Sequence, residues 1–228
     1  MEYLNSREKD LEIKSSVIFI LIFALFFVCF EAVLLTRHSS ERYLSLSSDY
    51  LEKSSSIPKD EIIERALLYQ KALRILNSSV SSNPANPKAY FEYAEVVGEI
   101  ARDPEVRAAL GGKILRGEDD SLDGFYNLQK KKIIEAISKE PANAIYHLKL
   151  GSVYNNLGDK DKAEKEFSAA LYLDPKNMSI HLYLSRYFLS KGQEAEFLYH
   201  INKAIELGGE NEAAQFLKKI GRQDLILK

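Results

Sequence analysis

The sequence predicts an all-α protein, with a single N-terminal transmembrane helix followed by an α-solenoid of helix-turn-helix repeats. Three observations underlie this prediction. Only one segment is apolar enough to cross a bilayer as a helix. A pattern of small and bulky residues recurs with a period of 34 residues toward the C-terminus. No alternating apolar runs flanked by hairpin-type turns indicate a β-sheet.

Composition narrows the class of protein further. Lys and Arg number 31 against 33 Asp and Glu, and this near balance argues against a nucleic-acid partner, which requires a basic surface. Apolar residues make up 46% of the 228 residues, which is enough for a packed core. The lone cysteine, Cys29, excludes an intrachain disulfide framework and a multi-cysteine zinc site.

An apolar segment near the N-terminus predicts a membrane anchor. Residues 17–30 are all apolar, and residues 15–36 are long enough to cross the hydrocarbon core, roughly 30 Å thick, as a helix. The segment is apolar on every face, unlike a helix that is buried on one side. Bulky residues around Cys29 fit neither a signal-peptide nor a lipoprotein cleavage site. We therefore assign residues 1–14 to a tail and residues 15–36 to an uncleaved anchor.

The charges beside the anchor predict its orientation. Arg7, Lys9 and Lys14 precede the anchor, whereas Arg37 and Arg42 follow it. The side with more basic residues tends to remain in the cytoplasm. We therefore expect a cytoplasmic N-terminus and a repeat domain on the opposite side, which is the periplasm if the membrane is a bacterial inner membrane.

Residues 37–57 are predicted to form a juxtamembrane helix and a linker. Tyr43 and Leu44 lie seven residues before Tyr50 and Leu51, so the four side chains share one helix face. A second interpretation of this face is self-association, which would make the protein a homo-oligomer.

Residues 58–228 are predicted to form the repeat domain. Pro58 is expected to open its first helix, because a proline there leaves no additional N–H group unpaired, and this helix ends before Asn83. The clearest repeat begins at Ala144, and its pattern recurs further along the chain. The aligned pairs are Gly151 with Ser185, Tyr154 with Phe188, Gly158 with Gly192, Ala163 with Phe197, Phe167 with Ile201, and Ala170 with Ala204.

This pattern resembles the tetratricopeptide repeat family, whose helix-turn-helix unit has this period. Residues 144–209 carry the resemblance most clearly. The repeat-ending prolines Pro84 and Pro141 are 57 residues apart instead of 34, so the resemblance implies 23 additional residues, near residues 103–121. A helix over residues 211–220 would cap the last repeat, as the exposed end of a solenoid requires.

No catalytic constellation stands out, and we expect no enzymatic activity, cofactor or metal. His147 and His181 occupy equivalent repeat positions, where helix packing explains them, since a metal site would need further ligands. Residues 119–124 resemble the start of a calcium-binding loop, but Lys130 replaces the glutamate expected at its twelfth position. An acidic turn that caps a helix beginning near Leu122 is the simpler interpretation.

The resemblance implies that the first helices of the repeats line a groove that binds a protein partner. The groove positions are Leu148, Lys149, Ser152, Asn156, Leu182, Tyr183, Arg186 and Ser190. Family members that clamp a terminal carboxylate use Lys and Asn where this chain has Leu148 and Ser152, so that partner class is not expected. The apolar groove side chains are expected to face outward. The alternative is that they only pack against neighbouring helices.

These features predict a non-enzymatic membrane scaffold or adaptor. The layout resembles that of bacterial inner-membrane proteins with an N-terminal anchor and periplasmic repeats, which act in envelope assembly, secretion or polysaccharide export. Two alternatives remain open. One is a structural membrane protein that self-assembles through the anchor and juxtamembrane helix, and the other is a calcium-dependent enzyme that uses the insertion.

Overall fold

The computed structural model describes the backbone of residues 2–114 and 121–225, and the side chains of residues 22, 23, 25–110, 114 and 121–225. All regular elements in these ranges are helical, which confirms the predicted all-α class for them. The elements are α1 (Glu2–Ser56), α2 (Ile62–Ser82), α3 (Pro87–Arg102), α4 (Pro104–Ile114), α5 (Leu122–Lys139), α6 (Ala144–Asn156), α7 (Lys160–Leu173), α8 (Met178–Ser190), α9 (Glu194–Glu206), α10 (Glu210–Lys219) and a 3-10 turn (Gln223–Leu225).

The helices pack as successive antiparallel pairs. The pairs are the C-terminal half of α1 with α2, α3 with α5, α6 with α7, and α8 with α9. In each pair we call the first helix the A helix and the second the B helix. Helix α10 covers the last pair with Ala213 and Leu217, which are both fully buried. It occupies the position predicted for the capping helix, with ends shifted by one residue.

Helix α1 joins two segments that the sequence analysis assigned to separate elements. It runs without a break from Glu2 to Ser56, through the predicted anchor and the predicted juxtamembrane helix. Within the described side chains, no helix has both the length and the apolar character needed to cross a membrane. Residues 15–21 and Ala24 of the predicted anchor lie outside those side chains.

The first pair forms because one face of α1 turns apolar and small after Ser39. Leu44 is 6% exposed and Leu51 packs on the same cluster, which includes Leu73 and Leu76 of α2. The two leucines of the face predicted for self-association therefore pack within the chain, whereas Tyr43 and Tyr50 are partly exposed. The expected helix start at Pro58 is wrong, because Pro58 begins a turn in which its carbonyl oxygen accepts from the Glu61 N–H at 3.1 Å.

The predicted insertion is largely folded. It contributes α4, whose Val106 and Leu110 are buried in the core formed by the first two pairs. Asp103 caps this helix by accepting from the Val106 N–H at 3.1 Å, and it forms an ion pair with Arg65 of α2. Backbone hydrogen bonds and Arg65 outweigh the effect of burial and lower the pKa of Asp103. Residues 115–120 lie outside the described ranges.

Glycine residues perform two different functions in the C-terminal repeats. Gly158 and Gly192 follow α6 and α8 with φ values of 80° and 70°, a left-handed conformation that side chains with a Cβ disfavour. Gly151 instead permits a close helix crossing, because a Cβ on it would lie 2.6 Å from the Phe167 ring. Both functions agree with the predicted helix-turn-helix unit.

Candidate partner-binding surface

The A helices α3, α6 and α8 begin with the same capping arrangement. Asn86, Asn143 and Asn177 are their N-cap residues, and each side-chain carbonyl accepts from a backbone N–H in the first turn at 3.1 Å. Such caps fix where a helix begins. The three helices therefore share one register, in which Glu92, Lys149 and Tyr183 are equivalent, and so are Glu95, Ser152 and Arg186.

Side chains at these two sets of positions connect one A helix to the next. Lys149 of α6 reaches back to α3 and donates to the Glu95 carboxylate at 2.7 Å. Tyr183 of α8 lies next to Ser152 of α6, close enough for the two side chains to interact electrostatically. Burial raises the pKa of Tyr183, while Ser152 and the Arg102 guanidinium oppose this shift. We call these two contacts the A-helix ladder.

The apolar members of the predicted groove are not on the surface. Leu148 is 4% exposed and Leu182 is 8% exposed, so the expectation that they face outward is wrong. Leu148 belongs to a cluster with Ile180 of the next A helix, and Leu182 to a cluster with Leu217 of α10. These leucines fill the space between successive repeats, which the sequence analysis treated as the alternative.

The polar members of the predicted groove are more accessible. Asn156, Arg186 and Ser190 are exposed. The Arg186 guanidinium lies 5.0 Å from the centre of the Phe216 ring on α10, a distance that permits a cation–π interaction. The Ser190 hydroxyl donates to the Tyr187 carbonyl at 2.7 Å. The structure therefore places an accessible polar strip beside the A-helix ladder.

Helix α3 contributes acidic side chains that the sequence analysis did not assign to the groove. Glu92 and Glu95 occupy the positions of Lys149 and Ser152, and Glu99 lies one turn further along. Burial is the main cause of the raised pKa of Glu92, with Glu95 adding to it. Applying the 57-residue offset between Asn86 and Asn143 to the groove positions would have identified all three carboxylates.

The equivalent positions Tyr90, His147 and His181 anchor each A helix to the preceding loop. The polar atom of each ring binds the carbonyl oxygen of the proline six residues earlier, at 3.3 Å, 3.0 Å and 3.1 Å respectively. A carbonyl oxygen can only accept, so each ring donates. Helix packing, as predicted, accounts for the two histidines.

Each of these rings also meets one B-helix side chain, and its identity differs between repeats. Lys132 lies 5.4 Å from the centre of the Tyr90 ring, Glu166 binds His147 at 2.7 Å, and His200 binds His181 at 2.9 Å. Burial, and secondly His181, lower the pKa of His200 to about 4, although Glu196 opposes this shift. No group of three or more metal-binding side chains occurs among the described residues.

The calcium-binding alternative falls mostly on residues that the structure does not describe, since Asp119 and Asp120 lie outside the described ranges. The capping interpretation fits the residues that follow. The Ser121 hydroxyl accepts from the Gly124 N–H at 3.3 Å, and α5 begins at Leu122. Lys130, at the position of the missing glutamate, donates to Asn127 at 2.7 Å.

Comparison with known proteins agrees with this architecture. The tetratricopeptide repeat model matches residues 144–177. The human IFIT1 dimer with PPP-AAAA is similar in fold, with 17% identity, a TM-score of 0.51, and coverage of 79% of this chain and 48% of that chain. No curated protein sequence matches the chain significantly.

Two further repeat structures align over most of their own length. MamA from MSR-1 has 18% identity and a TM-score of 0.44, covering 77% of this chain and 98% of that chain. TTC0263, a thermophilic TPR protein of Thermus thermophilus, has 22% identity and a TM-score of 0.43, covering 83% of this chain and 100% of that chain. Residues 144–177 match the tetratricopeptide repeat model, and the described chain has a helical-solenoid fold similar to that of IFIT1.

Proposed function

We propose that this protein is a membrane-anchored, non-enzymatic scaffold that binds a protein partner along its A helices. The polar strip of Asn156, Arg186 and Ser190 beside the A-helix ladder carries this proposal. The ladder links three successive A helices through side-chain contacts, so the strip lies on a surface whose parts hold fixed positions relative to one another. A preorganised surface loses less conformational entropy when a partner binds.

The apolar part of α1 supports the anchor. Its large side chains are exposed along the helix, including Ile22 at 61%, Phe26 at 70% and Leu35 at 67%. Contiguous apolar surface of this kind is rare on soluble monomers and marks contact with a protein or a membrane. A bilayer covers all faces of such a helix at once. The charge bias beside the segment favours a location of the repeats in the periplasm, at a bacterial inner membrane.

Two earlier alternatives have less support. Self-association through the face of Leu44 and Leu51 would require α2 to leave it, because Leu44 is buried there. A calcium-dependent enzyme would need ligands beyond residues 119–124. We expect the scaffold to act by holding its partner near one membrane face, which raises the local concentration of that partner. Envelope assembly, secretion or polysaccharide export are the processes that this layout suggests.

Site-specific photo-crosslinking in cells that produce the full chain tests this function. A photoreactive residue at Asn156 or Arg186 should capture the same protein, and one at Tyr172 should not. Tyr172 is 87% exposed on the B helix α7, so it controls for simple accessibility. In a chain that also carries Arg186→Glu, the photoreactive residue at position 156 should capture less of this protein. Equal capture from Tyr172, or crosslinks to copies of the chain alone, would contradict the scaffold function.

A further inference from the structure

We infer that α1 holds the solenoid rigidly against the membrane, with the loop between α2 and α3 lying among the lipid headgroups. This inference rests on the anchor of the proposed function and adds the surface that faces the lipid. The loop comprises residues 83–86 and is continued by the first turn of α3, which includes the exposed Lys88.

Helix α1 joins the apolar segment to the solenoid without a break. The helix has 55 residues, and neither glycine nor proline occurs among them. Sharp helix kinks nearly always occur at proline, at glycine or at bulges. The apolar segment and the first A helix of the solenoid are therefore one continuous helix without a residue that favours a sharp kink. A flexible linker, which would let the repeats tumble, does not separate them.

The packed solenoid begins at a defined position along α1. Described side chains from Ile22 to His38 are exposed, whereas Ser40 is fully buried. The Ser40 hydroxyl lies 2.8 Å from the Ser79 hydroxyl of α2 and accepts from the Asn86 side-chain amide at 3.0 Å. These contacts fix the C-terminal end of α2 and the start of α3 at the level of Ser40.

Distances along the helix then locate the loop. Ser40 lies four residues beyond Thr36, the predicted end of the anchor, which corresponds to about 6 Å of helix. The headgroup layer on each side of a bilayer is about 5–8 Å thick. The loop at the level of Ser40 thus falls within this layer. The opposite loop, at residues 57–61, lies about 30 Å from Thr36 along α1.

The side chains at this level suit a headgroup layer. Arg37, His38, Arg42 and Lys88 are exposed there, and although Glu41 pairs with Arg37 at 3.2 Å, basic side chains outnumber acidic ones among residues 37–42 and 83–88. Cationic side chains near a membrane surface are attracted to anionic lipids. Because α1 is continuous, the first helix pair follows the tilt of the anchor, which for a typical membrane helix is about 20° from the membrane normal.

Depth measurements on the full chain in liposomes test the inference. In a Cys29→Ser background, a fluorescent label is attached at Ala85→Cys or at Asp60→Cys, two exposed positions at opposite ends of α2. Liposomes of phosphatidylcholine and phosphatidylglycerol carry a nitroxide on the lipid headgroups. We expect severalfold stronger quenching at position 85 than at position 60. Inserting five glycine and serine residues between Arg37 and His38 should reduce this difference.

The possible outcomes separate the inference from the proposed function. A chain that fails to float with liposomes refutes the anchor and, with it, the orientation. A chain that floats with equal quenching at both labels, or stronger quenching at position 60, retains the anchor and refutes the orientation. An unchanged quenching difference after the flexible insertion would refute the rigid connection, because a decoupled solenoid would no longer be oriented by α1.

Discussion

The two C-terminal repeats place a histidine at the same position but give it different partners. In the repeat at residues 144–177, His147 donates to the Pro141 carbonyl and meets the Glu166 carboxylate at 2.7 Å. Both partners accept hydrogen bonds, so a ring that carries both protons satisfies them. In the next repeat, His181 makes the equivalent carbonyl contact but meets a second imidazole, that of His200.

An added proton is unfavourable in this second pair, whichever ring receives it. His181 donates through Nε2 to the Pro175 carbonyl, so in its neutral form Nδ1 accepts from the Nδ1–H of His200. A proton added to His181 would bring two N–H groups face to face, and a proton added to His200 would bury a charge beside Phe188, whose ring stacks on it. One backbone arrangement thus accommodates a histidine–carboxylate pair and a histidine–histidine pair, and in the second pair burial and His181 lower the pKa of His200.

The size of the residues at the helix crossing also differs between these two repeats. Gly151 and Ala163 let α6 and α7 approach closely, since a Cβ on Gly151 would lie 3.0 Å from the Ala163 carbonyl oxygen. Ser185 and Phe197 replace them in the last repeat, and both are fully buried. The Phe197 ring lies 6.4 Å from that of Phe216 in α10. The bulky residue therefore packs toward the capping helix.

Among the substitutions that test this comparison, Phe197→Ala should cause the largest loss of stability. Removing a fully buried phenylalanine typically costs about 3–5 kcal/mol, because the cavity left behind only partly collapses. We expect this loss in the free energy of unfolding, measured by urea titration of the full chain in mild detergent with circular dichroism. Tyr172→Ala, at an exposed position, is the matched control. Equal losses for both variants would show that Phe197 is not a core residue.

Acidification should weaken the last repeat selectively. The pKa of His200 is lowered to about 4 in the folded protein, whereas its ordinary value is 6.5, so between these values the unfolded chain binds more protons. The stability contributed by His200 is therefore complete above pH 6.5 and is lost progressively as the pH falls toward 4. The full loss is on the order of 3 kcal/mol, of which about 2 kcal/mol falls between pH 6.5 and pH 5.

Hydrogen exchange measured by mass spectrometry locates this acid effect. After correction for the pH dependence of intrinsic exchange, peptides of α8 and α9 should lose protection between about pH 7.5 and pH 5. Peptides of α6 and α7 provide the internal comparison and should lose less. A uniform loss across both repeats would contradict a selective effect of His200, and protection of α9 that rises on acidification would reverse its sign.

Exchanging the B-helix partners of His147 and His181 should transfer the acid-induced loss of protection from one repeat to the other. His200→Glu recreates the His147–Glu166 arrangement in the last repeat, so the acid-induced loss of protection in α8 and α9 should disappear. Glu166→His should introduce such a loss in α6 and α7. The expected change is on the order of 1–2 kcal/mol in each case, as for a hydrogen bond to a charged group. Retained acid sensitivity in His200→Glu would assign the effect to another group.

The sequence alone predicted the elements whose residues repeat. Gly158 and Gly192 marked the ends of their helices, and the capping helix was expected within one residue of its observed position. The start of α2 was wrong because Pro58 favours a turn as well as a first helical residue. The continuity of α1 was missed because the change from apolar to polar residues after Leu35 resembles a boundary between elements.

The candidate site was less predictable, for a physical reason. Helical periodicity identifies which residues share a face, but the neighbouring repeat decides whether that face is open. Leu148 and Leu182 adjoin Lys149 and Tyr183 in the sequence, yet Leu148 is buried against the following A helix and Leu182 against α9 and α10. The ladder itself depends on which side chains from different repeats reach one another, and this information is absent from a single helical pattern.

The A-helix ladder should have the smallest effect on stability, and it completes the comparison between repeats. Lys149 and Glu95 are joined at 2.7 Å, but their side chains are 32% and 28% exposed, so solvent screens the pair. A double-mutant cycle with Lys149→Met and Glu95→Gln should therefore give a coupling energy of about 0.5 kcal/mol. The equivalent cycle with Tyr183→Phe and Ser152→Ala tests the neutral contact, which should not weaken as salt concentration rises. Salt should weaken only the first coupling, because screening acts on charged pairs. A coupling of zero in both cycles would mean that the ladder does not stabilise the spacing of the A helices, which would then depend on apolar packing such as that of Leu148 against α8.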